Sequence, residues 1–145
     1  MKISIASDHA GLELKDYIKE YLTRKGHEVE DFGTYSKDSC DYPDFARPCA
    51  QSVANKSSEL GILVCYTGIG MSMCANKVKG IRAALVTSVE NAHLTKEHNN
   101  ANILCLGAKD TPQDLALNIV DEFINTPFAG GRHERRVNKL METEE

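Results

Sequence analysis

The chain reads LGILVCYTGIGMS from Leu60 to Ser72, and this stretch decides the fold. Its apolar half, Leu60 to Val64, predicts a buried strand, and the glycines at 68 and 70 predict a sharp turn into a helix from about Met71. The first turn of a helix presents unpaired amide donors, which stabilise an anion or a negative charge that develops during a reaction. On these residues alone, the stretch is either a ligand-binding turn or only a tight connection in an α/β fold.

Strands and helices alternate outward from this stretch. The predicted strands are 2–6, 28–32, 60–64, 81–86 and 102–106, and the predicted helices are 12–25, 44–55, 71–78, 89–98, one around 115–124 and a last short one from 132. If the second helix is continuous, Pro48 is expected within its first turn. Continuous apolar strands with short connections are typical of a parallel sheet covered on both faces. We therefore predict a single domain, 1–145, with a Rossmann-like, doubly wound, three-layer α/β/α sandwich around a five-stranded parallel sheet.

Composition narrows the classes of function. The 145 residues are 41% hydrophobic and 26% charged, with a net charge of −4, which gives little support to a nucleic-acid-binding role. The apolar runs are shorter than the roughly 18 residues of a membrane span, and the opening residues lack the pattern of a secretory signal, so we expect a cytoplasmic protein without a membrane partner. Five cysteines without a Cys-x-x-Cys pair imply neither a zinc site nor a disulfide framework.

Polar residues follow the predicted strands where ligands bind in such folds. Asp8 and His9 follow the first strand, and Cys65 stands at the mouth of the third, near a helix start that favours a thiolate acting as nucleophile or base. Each has a structural alternative, since Asp8 is also a good helix cap. The alternative for His98 is a capping or surface histidine, and the alternative for Tyr42 is a tyrosine that packs within a turn. The basic run from Arg132 to Lys139 is equally a solvated terminal helix.

Several motifs together support a resemblance that runs from end to end. They are Ser7 to Gly11, Asp31 to Thr34, Asp41-Tyr42-Pro43, Cys65 to Ser72, Ala75-Asn76-Lys77, Gly80-Ile81-Arg82, His98 to Asn102 and Gly130 to His133. The chain resembles the type B ribose-5-phosphate isomerases, in the sugar-phosphate isomerase family that also contains the galactose-6-phosphate isomerase subunits. The resemblance implies an aldose-ketose isomerase of the pentose phosphate pathway that works through a cis-enediolate, with no metal or organic cofactor.

The resemblance also implies roles for individual residues. Cys65 matches the general base, Thr67 the hydroxyl that moves a proton between the sugar oxygens, and His98 the group that opens the furanose ring, with Asp8 near the ring oxygen. The implied substrate-binding residues are His9, Tyr42, Tyr66, Gly68, Ile69, Gly70, Met71, Ser72, Asn99, Lys109, Arg132 and Arg136. The sequence departs from the family at Tyr66, where most members have glycine, and at Met71, where members with a glutamate base carry that residue.

Family members are dimers or tetramers with shared sites, so the resemblance implies that the C-terminal segment 128–145 packs on a neighbouring subunit. His98 and the C-terminal arginines then face Cys65 of that neighbour. Two main alternatives and one minor one stay open. One is an isomerase of another aldose phosphate, such as allose 6-phosphate, galactose 6-phosphate or a tetrose phosphate. The other is a flavodoxin-like module that binds a nucleotide or flavin without catalysis, and a thiol-redox role for Cys65 is a further one.

Overall fold

The computed structural model describes residues 1–144 and contains five strands and six α-helices in alternation. The strands are β1 (Lys2–Ser7), β2 (Glu28–Asp31), β3 (Leu60–Cys65), β4 (Ala83–Leu85) and β5 (Ile103–Gly107). The α-helices are α1 (Leu12–Arg24), α2 (Pro43–Ala54), α3 (Ile69–Ala75), α4 (Val89–Glu97), α5 (Gln113–Asn125) and α6 (Arg132–Met141), and a 3-10 turn, Glu142–Glu144, follows α6. Every strand pair is parallel, in the order β2-β1-β3-β5-β4. The predicted α/β/α sandwich with a five-stranded parallel sheet is confirmed.

The two faces of the sheet carry separate apolar cores. On one face, the sheet packs against α1, α4 and α5 through residues that include Ile18, Ala92 and Phe123. On the other face it packs against α2 and α3 through residues that include Cys49, Val53 and Met71. The central strands β3 and β5 are buried along their whole length, which explains their continuous apolar sequence.

Three of the differences from prediction have local reasons. Helix α3 begins at Ile69 rather than Met71, because Gly68 adopts a left-handed backbone (φ 81°) and ends the turn directly before Ile69. Strand β4 is shorter than predicted because it lies at the sheet edge, with only β5 to pair with. Pro48 lies in the interior of α2, beyond its first turn, so that prediction was wrong. The carbonyl that loses its partner belongs to the exposed Asp44, where water can supply a donor.

The start of α1 is pressed against the end of β3. A Cβ atom at Gly11 would lie 2.5 Å from the carbonyl oxygen of Val64, closer than any side chain can approach. The amide of Gly11 donates to Asp8 Oδ1 at 3.0 Å, and the amide of Asp8 donates to the Val64 carbonyl at 3.2 Å. Glycine at position 11 therefore lets the loop after β1 lie directly beside Cys65.

A histidine links α4 to α5 and to the segment after it. His93 Nδ1 lies 2.9 Å from Glu122 Oε1, and its Nε2 lies 3.0 Å from Glu97 Oε2. Thr126 Oγ1 lies 3.2 Å from the same Nδ1. Hydrogen bonds that the ring donates to Glu122 and then to Glu97 raise the pKa of His93, because both carboxylates favour the imidazolium.

This contact predicts a pH-dependent stability. The stabilisation from a raised histidine pKa is fully present below the ordinary value of 6.5 and is lost as the pH rises through the raised pKa of the folded state. Glu122→Gln should therefore lower Tm more at about pH 6 than at about pH 9. Thermal unfolding at both pH values measures the difference, and Glu20→Gln, at an exposed position on α1, is the matched control. An equal loss at both pH values would contradict the assignment.

Candidate active site

The carboxyl ends of β1, β3 and β5 meet at one edge of the sheet, as the sequence predicted for β1 and β3. Ser7 is in register with Val64, and Cys65 with Gly107. Beyond the strands, the Cys65 carbonyl accepts from the amide of Ala108 at 2.8 Å, and the Tyr66 carbonyl accepts from the amide of Lys109 at 2.9 Å. These contacts place Asp8, Cys65 and Lys109 on the loops of three adjacent strands.

The turn after Cys65 directs amide donors toward polar side chains. The amide of Gly68 donates to Cys65 Sγ at 3.1 Å, and the amide of Ile69 donates to Thr67 Oγ1 at 3.2 Å. A donor aimed at the sulfur stabilises negative charge on it. Among residues 1–144, the amides of Gly70 and Met71 have no acceptor, as expected for the first turn of a helix. The turn can therefore stabilise a developing oxyanion.

The side chains of this turn divide into buried and exposed ones. Met71 is fully buried in the core, so only its backbone can reach a ligand. The Ser72 hydroxyl donates to the Ile69 carbonyl at 2.8 Å and is occupied by its own helix. Ile69 and Tyr66 are exposed, and the 57% exposure of Tyr66 places it at the rim of the site rather than on its floor.

Gly107 is a site residue that the sequence analysis missed. A Cβ atom there would lie 2.5 Å from the carbonyl oxygen of Thr67, so the turn rests directly on the end of β5. At Gly68, a Cβ atom would lie 2.5 Å from Leu85 Cδ1. Nothing in the local sequence separates Gly107 from an ordinary glycine after a strand, because the contact depends on the pairing of β3 with β5.

Two side chains from the loops complete this part of the site. His9 Nδ1 accepts from the amide of Cys40 at 3.2 Å, which leaves the hydrogen of the neutral imidazole on Nε2. The Tyr42 ring lies over Gly70, where an added Cβ would be 2.7 Å from Cζ. Asp8 is not the N-cap of α1, so the capping alternative was wrong: the N-cap is Gly11, which has no side-chain cap, and Asp8 Oδ1 accepts from the Gly11 amide in the turn before the helix.

The remaining predicted residues form a second group, around α4 and α6. A cavity of about 240 Å³ is lined by His98, Asn99, His133, Arg136, Val137 and Leu140. His98 ends α4 as its C-cap, its ring stacks on that of His133 with centroids 4.2 Å apart, and its Nε2 lies 3.2 Å from Glu97 Oε1. Desolvation, and then the electrostatic effect of the neighbouring His98, Arg132 and Arg136, lower the pKa of His133. This group is thus electropositive and suited to an anion.

The two groups are separate within the chain. In the part of the chain described, no hydrogen bond, ion pair or ring contact joins the group around His98 to the group around Cys65. Residues 1–144 also contain no cluster of three or more His, Cys, Asp or Glu side chains arranged for a metal ion. None of the helices described is both long and apolar enough to cross a membrane.

Comparison with known proteins supplies the family. The family model described as Ribose/Galactose Isomerase matches residues 3–140. A probable ribose-5-phosphate isomerase B from Mycoplasma genitalium is 48% identical over 98% of this chain and 95% of its own length. Ribose-5-phosphate isomerase B from Escherichia coli is 40% identical over 99% of this chain and 97% of its own.

Solved structures of ribose-5-phosphate isomerase B also match this chain. The structure of Clostridium thermocellum ribose-5-phosphate isomerase B matches with a TM-score of 0.98 and 49% identity, covering 99% of this chain and 97% of that one. The Mycoplasma genitalium enzyme, solved with bound ribulose-5-phosphate, matches with a TM-score of 0.95 and 48% identity, covering 99% and 95%. The resemblance drawn from the sequence motifs is confirmed, and the chain belongs to the Ribose/Galactose Isomerase family.

Proposed function

We propose that the protein is an aldose-ketose isomerase that interconverts ribose 5-phosphate and ribulose 5-phosphate in the pentose phosphate pathway. The observation that carries this proposal is the match along almost the whole chain to a ribose-5-phosphate isomerase B solved with bound ribulose-5-phosphate. The chemistry moves one proton between adjacent carbons and needs only acid-base groups and donors that stabilise an oxyanion. The strand ends of β1 and β3 supply groups of both kinds.

In the proposed mechanism, the Cys65 thiolate removes the proton from C2 of the open-chain aldose. The electron pair of that C–H bond moves into the C1–C2 bond, and negative charge develops on the C1 oxygen of a cis-enediolate. The free amides of Gly70 and Met71 stabilise this charge. Thr67 passes the O2 proton to O1, and the Cys65 thiol returns its proton to C1, which yields the ketose. Burial raises the pKa of the Cys49 and Cys105 thiols, so neither competes for this role.

Substrate binding is assigned to the residues that surround these groups. His98 opens the furanose ring, with Asp8 near the ring oxygen. The phosphate is held by Nε2–H of His9 together with Arg132 and Arg136, and Lys109 is a further cation beside Tyr66. Tyr42 and Asn99 contact sugar hydroxyls, and Gly68, Ile69 and Ser72 shape the turn. The exposed Tyr66 directly follows Cys65 at the rim of the site, where its ring would limit the length of sugar that fits.

A complete site requires a second copy of the chain. The proposal places the neighbour's His98 and arginines opposite Cys65, in a homodimer or a tetramer, because the two groups are not joined within one chain. Exposed apolar side chains around the turn, Tyr66, Ile69, Met73 and Leu85, support a contact there. The segment 128–145 would pack on that neighbour, and its last residue, Glu145, lies outside the described residues. The proposal includes a cytoplasmic location.

The second candidate substrate is another aldose phosphate, and Tyr66 is the observation that favours testing it. The family description covers galactose as well as ribose isomerases, and Tyr66 changes the rim beside Cys65. Turnover of ribose 5-phosphate, allose 6-phosphate, galactose 6-phosphate and a tetrose phosphate should therefore be measured side by side. Ribose 5-phosphate is expected to give the highest kcat/KM, and a higher value for a hexose phosphate would reassign the substrate.

The role of Cys65 predicts that replacing two different cysteines by alanine has very different effects on kcat. Cys65→Ala should lower kcat for ribose 5-phosphate by roughly 10²-fold or more, because general-base catalysis is lost. Cys74→Ala removes a half-buried thiol from the same helix–strand unit and should leave kcat within about twofold. A steady-state assay of ribulose 5-phosphate formation compares the two variants. Similar kcat values for Cys65→Ala and the unaltered protein would refute the assignment of the base.

The shared site predicts that two inactive variants rescue each other. Cys65→Ala and His98→Asn should each be nearly inactive, whereas subunits unfolded together and refolded as a mixture should regain activity. In an equal mixture of dimers, half are mixed and each of these has one intact site, so about a quarter of the original activity is expected. Refolding each variant alone is the control. No gain in the mixture would place each site within a single subunit.

A further inference from the structure

Lys15 is a buried charge that the proposed mechanism does not use. It lies on α1 with no exposed surface, in a row with the apolar Ile18 and Leu22. Its Nζ donates to Asp31 Oδ1 at 2.8 Å, to Asp31 Oδ2 at 2.9 Å and to the Thr34 carbonyl at 2.6 Å. The Asp31 side chain is itself only 7% exposed. A buried ammonium is tolerated only when paired and hydrogen-bonded in this way.

The lysine fixes the chain where it leaves β2. Asp31 Oδ1 also accepts from the amide of Gly33 at 2.8 Å. Gly33 and Thr34 in turn form hydrogen bonds with both backbone groups of Ser7. The Ser7 amide donates to the Gly33 carbonyl at 2.7 Å, and the Thr34 amide donates to the Ser7 carbonyl at 2.8 Å. Ser7 directly precedes Asp8 and His9. Lys15 therefore fixes the end of β1 relative to the start of the loop that follows β2.

The far end of the same loop contacts the candidate active site. The loop runs from Gly33 to Tyr42, and its Cys40 amide donates to His9 Nδ1 while the Tyr42 ring lies over Gly70. Tyr35, within the loop, covers the ion pair: its hydroxyl donates to the Asp31 carbonyl at 2.6 Å, and Lys15 Nζ lies 5.1 Å from its ring centroid. One buried cation thus lies beneath the start of the loop whose far end contacts His9 and Gly70.

We infer that Lys15 is a positioning residue for substrate binding, because its directional bonds to Asp31 and Thr34 fix the loop that sets the orientation of His9 and Tyr42. An apolar pair of similar volume is often as stable as a buried ion pair, so stability alone does not require a lysine here. Apolar contacts would not specify where the Thr34 carbonyl lies. The inference rests on the proposed function, which gives His9 the phosphate and Tyr42 the sugar.

The test uses a double variant that folds without a buried charge. Lys15→Met alone removes the buried cation beside the Asp31 carboxylate, leaves Lys19 as its remaining cationic partner, and is expected to lower Tm. Lys15→Met with Asp31→Leu removes both charges and should recover most of that loss. In the double variant, KM for ribose 5-phosphate should still rise about tenfold or more, with a smaller change in kcat, because binding groups are displaced while Cys65 is not. Lys19→Met is the matched control, since Lys19 also pairs with Asp31, at 3.3 Å, but from a partly exposed side chain.

A second measurement does not depend on turnover. Nitrogen chemical shifts of the His9 imidazole report which ring nitrogen carries the hydrogen. The unaltered protein and Lys19→Met should show Nδ1 as the acceptor, and the double variant a mixture of tautomers. A double variant with unaltered KM and unaltered His9 shifts would overturn the inference, and so would one that fails to fold, since the pair would then serve stability. Failure of the proposed function is distinct, because the unaltered protein would then not convert ribose 5-phosphate.

Discussion

The parallel pairing of β3 between β1 and β5 is the constraint on which the site depends. It brings three strand ends to one edge and fixes their heights relative to one another through the register Ser7 to Val64 and Cys65 to Gly107. Because β3 is buried on both faces and paired on both sides, its end cannot shift without breaking the sheet. The thiol of Cys65 therefore has a fixed position, and the loops are arranged around it.

Much of the fold was predictable because its signals are local. Continuous apolar strands, helical spacing and glycine stops gave every strand and helix of the sheet region in order, and the left-handed turn at Gly68 shifted only one helix start. The position of Pro48 was mispredicted because the start of α2 depends on the preceding turn, where Pro43 begins the helix, and not on Pro48 itself. The strand order, with β5 inside β4, is set by packing between distant segments and has no signature in either strand.

The candidate site was predictable only in part. Cys65, Thr67 and His9 stand out as chemical groups at strand ends, so sequence position alone nominates them. Gly107 does not, because its importance lies in the missing Cβ atom opposite Thr67. Lys15 did carry a signal, a charge within the apolar stripe of α1, and that signal indicates burial without indicating Asp31 as its partner. Contacts between residues far apart in sequence account for what was missed.

The close contacts at Gly11, Gly70 and Gly107 have a consequence for how such enzymes diverge. The floor of the site is made of backbone pressed against backbone or against an aromatic ring, with no room for a side chain. Tyr66 and Lys109, by contrast, are exposed at the rim and are held there through their main chains, so their side chains are unconstrained by the sheet. New substrate preferences are therefore expected to evolve by exchange of rim side chains over an unchanged glycine floor.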